Sequence, residues 1–187
     1  MDGHIKMEDI LSLTARDKGE WFAKILTQIT PIEMNRISRD EITTESPLNI
    51  LIQNRKEVPE VFEVGTLTLF NRRVLDVLKK SCFTGWKLYP VILQDKVGKV
   101  SEEYWGLSIT GRAGKSLGGL EKRFPTTSLT KRPQTFFRFE IGNWDGSDFF
   151  MLSDMSFNLI TPRVANAFIK YGLKDWKATS ILNLFED

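Results

Sequence analysis

Apolar residues fall into the same order in two stretches of the chain: a short alternating segment, a helical stripe, then an apolar run. Leu67 and Leu69 alternate with polar neighbours, as do Phe157 and Leu159, which is the period of a half-buried strand. Val74, Leu75, Val77 and Leu78 then recur at helical spacing, and so do Val164, Ala165, Ala167 and Phe168. Asn71 and Thr161 stand where an N-cap belongs, with oxygens able to accept from the first free helix amides. Pro162 falls at the first helical position, where a missing N–H costs nothing. Gly172 supplies a stop for the second helix, and Gly85 follows the first a little later. Trp86 to Leu93 and Trp176 to Leu184 close the two stretches as apolar runs. The pattern predicts two strand–helix–strand units, at about 60–93 and 148–184.

The two units align without a gap from Leu67 onward at an offset of 90, with Leu69/Leu159, Arg73/Arg163, Val74/Val164, Lys80/Lys170, Trp86/Trp176 and Lys87/Lys177 identical. An internal structural repeat accounts for this, although two ordinary units can also converge on one grammar. An acid followed by apolar residues introduces both: Glu60-Val61-Phe62 and Asp148-Phe149-Phe150. The expected fold class is α+β, a mixed sheet built from two related strand–helix–strand units with helices packed on it. The matched residues suit packing and helix ends better than chemistry. Function is therefore expected in the segments that break the repeat.

Ahead of the repeat, Asp17 to Thr30 reads as an amphipathic helix, with Asp17 as cap, Glu20 three residues on, and one stripe of Trp21, Phe22, Ile25, Leu26 and Ile29. Pro31 would end it. Such a stripe packs on its own domain or, less commonly, offers a docking surface. Asn35 to Pro47 reads as a loop and Leu48 to Ile52 as a short strand. Residues 1–47 are thus expected to form an N-terminal helical extension and loop packed on a single α+β domain at 48–187.

Between the units, Ser101 to Thr110 starts polar and becomes a strand, followed by the glycine-rich Gly111-Arg-Ala-Gly-Lys-Ser-Leu-Gly-Gly119. A phosphate-binding P-loop fails here: Ile109 stands where its first glycine is needed, and Leu117-Gly118-Gly119 would start a helix badly. From Gly111 to Pro133, Arg112, Lys115, Lys122, Arg123, Lys131 and Arg132 face only Glu121. That excess suits phosphates or an acidic protein surface, or simply a solvated loop. Phe124 is the one aromatic residue within it, fewer than single-strand binding wants. Phe136 to Ile141 alternates as a strand does. Asp145 and Gly146 suit a tight turn, and the segment lacks the oxygen ligands of an EF-hand loop.

Composition narrows the chemistry. The 187 residues carry 26 basic against 24 acidic side chains, so no global field marks a nucleic-acid or membrane partner. The single cysteine, Cys82, excludes an internal disulfide and reads as a buried packing thiol. His4 is the only histidine, so a serine or cysteine nucleophile lacks an imidazole base, and no carboxylate pair is placed for acid–base work. Metal and cofactor ligands are not expected. The first residues lack a signal peptide's apolar core, and no stretch has the length of a membrane span, which makes the cytoplasm the simplest address.

Tyr104-Trp-Gly-Leu-Ser-Ile-Thr-Gly-Arg-Ala-Gly-Lys-Ser116, Trp144-Asp-Gly-Ser-Asp-Phe-Phe-Met151 and Ile160-Thr-Pro-Arg-Val164 together resemble a bacterial family, once a domain of unknown function, grouped with the type-eleven immunity proteins of polymorphic toxin systems. The resemblance runs from about Leu48 to the C-terminus, and Met1 to Asn35 departs from it. Some relatives carry cysteine in the glycine loop where this chain has Ala113. The resemblance implies a non-catalytic protein that neutralises a cognate toxin by direct contact in the producing cell's cytoplasm. It brings no list of binding residues. The candidate contacts, Trp105, Arg112, Lys115, Trp144, Asp145 and Asp148, come from the irregular segments, since loops on rigid scaffolds carry recognition. Two alternatives are a small-molecule-binding protein or enzyme with its pocket between the units, and nucleic-acid binding through Arg112 to Arg132.

Overall fold

In the computed structural model, which describes residues 5–16, 22–53, 58–98, 100–101, 103–117, 121–123, 134–136 and 138–183, the two units share one element order. The chain runs β1 (Leu11–Ala15), β2 (Phe22–Ile25), α1 (Pro31–Ser38), β3 (Leu48–Gln53), β4 (Val61–Val64), β5 (Leu67–Asn71), α2 (Arg72–Lys80), β6 (Trp86–Gln94) and β7 (Val100–Ser101). It continues with β8 (Tyr104–Ile109), β9 (Gly111–Arg112), β10 (Glu121–Arg123), β11 (Gln134–Phe136), β12 (Phe149–Met151), β13 (Leu159–Ile160), α3 (Pro162–Lys170) and β14 (Trp176–Ser180). The fold class is α+β, with helices packed on two mixed sheets and a separate β10–β11 ribbon.

The first unit lies in the sheet ordered β2-β3-β6-β8-β5-β4, and the second in the sheet ordered β14-β1-β13-β12-β9. Each therefore contains the same four-strand core: β6-β8-β5-β4 in one and β14-β1-β13-β12 in the other. Strand β1 takes the place of β8. Gly106 pairs with Leu69 and Ser12 with Leu159, while Ile109 pairs with Trp86 and Ala15 with Trp176. The fourth strand follows its unit in the first half and precedes it, at the start of the chain, in the second.

Local backbone obeys the same register. Asn71 accepts from the Val74 N–H at 3.1 Å and caps α2, and Thr161 holds the same place on α3. After the helices, Cys82 (φ 51°) matches Gly172 (φ 60°), and Gly85 (φ 84°) matches Asp175 (φ 63°). Cys82 is exposed, not buried as expected, because it occupies the left-handed turn that ends α2. The indole N–H of Trp86 donates to Phe83 O at 2.9 Å, and that of Trp176 to Leu173 O at 3.0 Å.

One core is shared between the halves. Val74 and Val164, Leu78 and Phe168, Phe70 and Ile160, and Leu107 and Leu13 meet in a single cluster. The outer face of each sheet has its own cluster. Phe62, Leu69 and Tyr89 pack with Ile37, Ile50 and Leu93 on the first, and Phe150, Leu159 and Ile10 pack with Phe139 and Ile181 on the second. Burial on both faces explains why these strands carry more apolar residues than simple alternation predicts.

The N-terminal segment differs from expectation. Phe22–Ile25 is a strand antiparallel to β3, where a helix was expected, and residues 17–21 lie outside the described residues. Pro31 begins a helix instead of ending one: Thr30 Oγ1 accepts from the Glu33 N–H at 3.2 Å, and Glu33 accepts from the Thr30 N–H at 2.8 Å. These contacts hold the Glu33 carboxyl below its usual range. The expected loop from Asn35 accordingly starts only after Ser38. No helix among the described residues is long and apolar enough to cross a membrane.

Candidate functional site

A reciprocal set of polar contacts joins the units. Arg73 pairs with Glu60 of its own unit and donates to Tyr171 O (2.9 Å) and Gly172 O (3.1 Å), at the end of α3. Arg163 pairs with Asp148 at 2.8 Å and donates to Ser81 O at 2.7 Å, at the end of α2. Each acid also receives an N–H from the opposite unit: Lys174 N–H reaches Glu60, and Thr84 N–H reaches Asp148 at 3.0 Å. Exchanging the units exchanges Arg73 with Arg163, Glu60 with Asp148, Tyr171 O with Ser81 O and the Lys174 N–H with the Thr84 N–H, which is the signature of an isologous, two-fold-like interface.

Asp148 belongs to this framework. Its residue is 6% exposed, and it also accepts from the Thr161 hydroxyl at 3.2 Å. That bond draws the Thr161 hydroxyl away from capping α3. The aspartate expected as a partner contact is therefore buried among protein donors, out of reach of another molecule.

The other five candidates divide. Arg112 is half-buried and donates to Ile109 O (2.7 Å), Gly111 O (2.8 Å) and Arg39 O. Burial, then the neighbouring Arg39 charge, pulls its pKa below the ordinary arginine value. It braces the loop through these carbonyls. Asp145 braces the same loop from the far side, accepting from the Arg112 N–H at 2.8 Å and the Ser147 N–H at 3.0 Å. Trp144 rests on Phe150, with ring centroids 5.3 Å apart, and its indole donates to Ser147 O at 3.1 Å. Lys115 is exposed. The adjoining Ser116 is fixed by its N–H on Asp154 at 2.9 Å. Trp105 lies apart from these on β8, half-buried with the Arg72 guanidinium 5.9 Å from its ring centre.

The structure thus draws Lys115, Trp144 and Asp145 together on one braced ledge formed by residues 111–117 and 140–147. Leu117 (46% exposed) and Ile141 (37% exposed) are exposed apolar side chains on it. Sequence reading missed Ile141, which it assigned to a strand; it begins a short 3₁₀ turn. Of the basic run, 118–120 and 124–133, with Lys131 and Arg132, lie outside the described residues. His4 does too.

Sequence reading also missed the contact that closes one end of the interface. Arg39, 8% exposed, donates to Leu152 O and Met155 O at 3.0 Å and to Ser153 O at 3.1 Å, while Ser108 Oγ donates to Ile37 O at 2.6 Å. The end of α1 thereby ties the first sheet to the turn after β12. Nothing in the spacing around Arg39 announces this.

Two cavities flank α1. One, of about 220 Å³, is lined by residues including Asp40, Thr44, Lys87, Tyr89 and Ser108, and Lys87 meets Asp40 at 2.6 Å. The Tyr89 and Thr44 hydroxyls are buried without a hydrogen-bond partner among the described residues. The other, of about 200 Å³, lies between the units and is lined by Ser12, Thr14, Glu63, Gly65, Ser156 and Asn158, among others. Neither is lined by Arg112 or Asp148. The described residues hold no cluster of three or more His, Cys, Asp or Glu placed to bind a metal ion. Compared with known proteins, the chain matches no family model and has no significant match among curated proteins.

Proposed function

We propose that this chain is a non-catalytic binding protein that neutralises a bacterial toxin through direct protein contact in the cytoplasm of the producing cell. The observation that carries this reading is the braced ledge. Its loops are fixed by Asp145, Arg112 and the Ser116–Asp154 contact, so Lys115, Trp144, Leu117 and Ile141 are presented on a rigid support. Preordered loops lose less entropy on binding, and an aromatic and aliphatic centre beside a cation suits a protein partner. The resemblance of Tyr104–Ser116 and Trp144–Met151 to immunity proteins supplies the partner class.

Co-expression with any toxin gene found beside this one tests the reading. Wild type should restore growth. Lys115→Glu combined with Ile141→Asp, both at exposed positions, should weaken toxin binding at least about tenfold, as loss of an interface centre does, with an unchanged circular dichroism spectrum. Full protection by the double variant would remove the ledge from the account.

A small-molecule reading is favoured by one observation, the unpartnered Tyr89 and Thr44 hydroxyls at the cavity beside α1. A discrete small molecule retained through purification and seen by native mass spectrometry would support it over the ledge.

A further inference from the structure

We propose that the open groove between the units, walled by Ser12, Thr14, Glu63, Gly65 and Asn158, docks an arginine-bearing segment of a partner protein. The inference rests on the binding-protein reading and names chemistry for a second contact, away from the ledge. Its basis is the other half of the same interface, where the chain supplies such a segment itself.

The equivalences follow from strand pairing. Position 108 on β8 corresponds to 14 on β1, because Lys87 pairs with Ser108 and Lys177 with Thr14. Position 62 on β4 corresponds to 150 on β12, because they pair with Leu69 and Leu159; hence 63 matches 151, and Val64 and Gly65 match Leu152 and Ser153. Thr68 and Asn158 are themselves equivalent through Leu69 and Leu159, and they touch each other: Asn158 Nδ2 donates to Thr68 Oγ1 at 2.7 Å. That contact marks the centre about which the halves exchange.

On one side of this centre the groove is filled. Ser108 Oγ holds the carbonyl at the end of α1, and Arg39 reaches three carbonyls after β12. On the other side the Ser108 hydroxyl recurs as Thr14, joined by Ser12 where the first unit has Gly106, and the space is an open cavity of about 200 Å³. The acceptors differ for a structural reason. The turn after β12 has two more residues than the tight turn from Val64 to Leu67, so it can arch its carbonyls around Arg39. The tight turn has less backbone to offer, but Glu63 stands where the second unit has the buried, apolar Met151. A carboxylate takes an arginine fork in place of carbonyls. Although the Glu63 residue remains exposed at the groove mouth, crowding of its carboxyl raises its pKa, offset in part by the Ala15 N–H. A cation in the groove would reverse that penalty.

The test uses the full chain and a capped synthetic peptide copying residues 30–41, Thr-Pro-Ile-Glu-Met-Asn-Arg-Ile-Ser-Arg-Asp-Glu. NMR titration should shift the Ser12, Thr14, Gly65 and Thr66 amides. Affinity should fall at least about tenfold, the scale of a lost charged anchor, with Glu63→Lys, with Glu63→Gln, and with glutamine replacing the peptide arginine at position 39. Shifts confined to other surfaces, no shifts at millimolar peptide, or equal affinity for Glu63→Lys would each overturn the proposal. Toxin protection is scored separately. Binding at Glu63 without protection from any toxin would leave the groove standing and remove the immunity reading; protection without peptide binding would do the reverse.

Discussion

Asp148→Ala should destabilise the protein by about 3 kcal/mol, the summed cost of leaving its hydrogen-bond donors without an acceptor. The carboxylate is 8% exposed and serves the Thr84 N–H, the Thr161 hydroxyl and Arg163 together. Truncation strands the buried Thr161 hydroxyl and the part-buried Thr84 N–H, and frees the arginine that holds the end of α2. Arg163 itself is 56% exposed, so most of the loss should come from the stranded groups and little from the lost attraction. Asp148→Asn keeps an acceptor and should recover part of the stability. Glu60→Ala should behave like Asp148→Ala, because Glu60 serves Lys174 N–H and Arg73 in the matching place. Chemical denaturation of the three variants measures this. A loss below about 1 kcal/mol for Asp148→Ala, the scale of an exposed pair, would show that the reciprocal contacts are incidental.

Gly106→Ala should be costly as well. A Cβ at position 106 would lie 1.9 Å from Cε2 and Cζ of Tyr89, on neighbouring strands inside a sheet. Overpacking of this kind costs about 3 kcal/mol when neither backbone can move. The second unit solves the same problem differently, with Ser12 opposite Thr179. Copying that pair as Gly106→Ser with Tyr89→Thr should therefore cost at least about 1 kcal/mol less than the sum of the two single changes, since contacting residues couple. Simple additivity would mean that the close approach of Tyr89 to Gly106 is not what fixes residue 106 as glycine.

What could be read from the sequence was local. Asn71, Pro162, Gly172 and the two tryptophan-led strands are specified by neighbours within a few residues, and their places in the structure follow the pattern. The acid before each unit was also visible at Glu60 and Asp148. Its role was not, since the donors that bury it lie in the opposite unit. Strand β1 was illegible for the same reason: its partners are at 159–160 and 176–180, and no spacing rule links residue 11 to them. Phe22, Ile25 and Ile29 satisfy a helical stripe, yet pairing with β3 prevails over that propensity. Thr30-Pro31-Ile32-Glu33 is a readable capping box whose proline was taken as a stop when it serves as a start. On the candidate surface, Lys115 and Trp144 could be found as irregular-loop residues. Whether Arg112 and Asp148 point to solvent or hold the frame depends on contacts with residues 39, 84 and 163, which sequence order does not bring together.

Strand β1 completes the second unit, so the two halves are expected to unfold as one body. Native-state hydrogen exchange measures it directly. The Leu11, Leu13 and Ala15 amides should exchange only with global unfolding, at the same free energy as the Leu107 and Ile109 amides of β8. Exchange of the β1 amides through a separate, lower-energy opening, with β8 still protected, would contradict it.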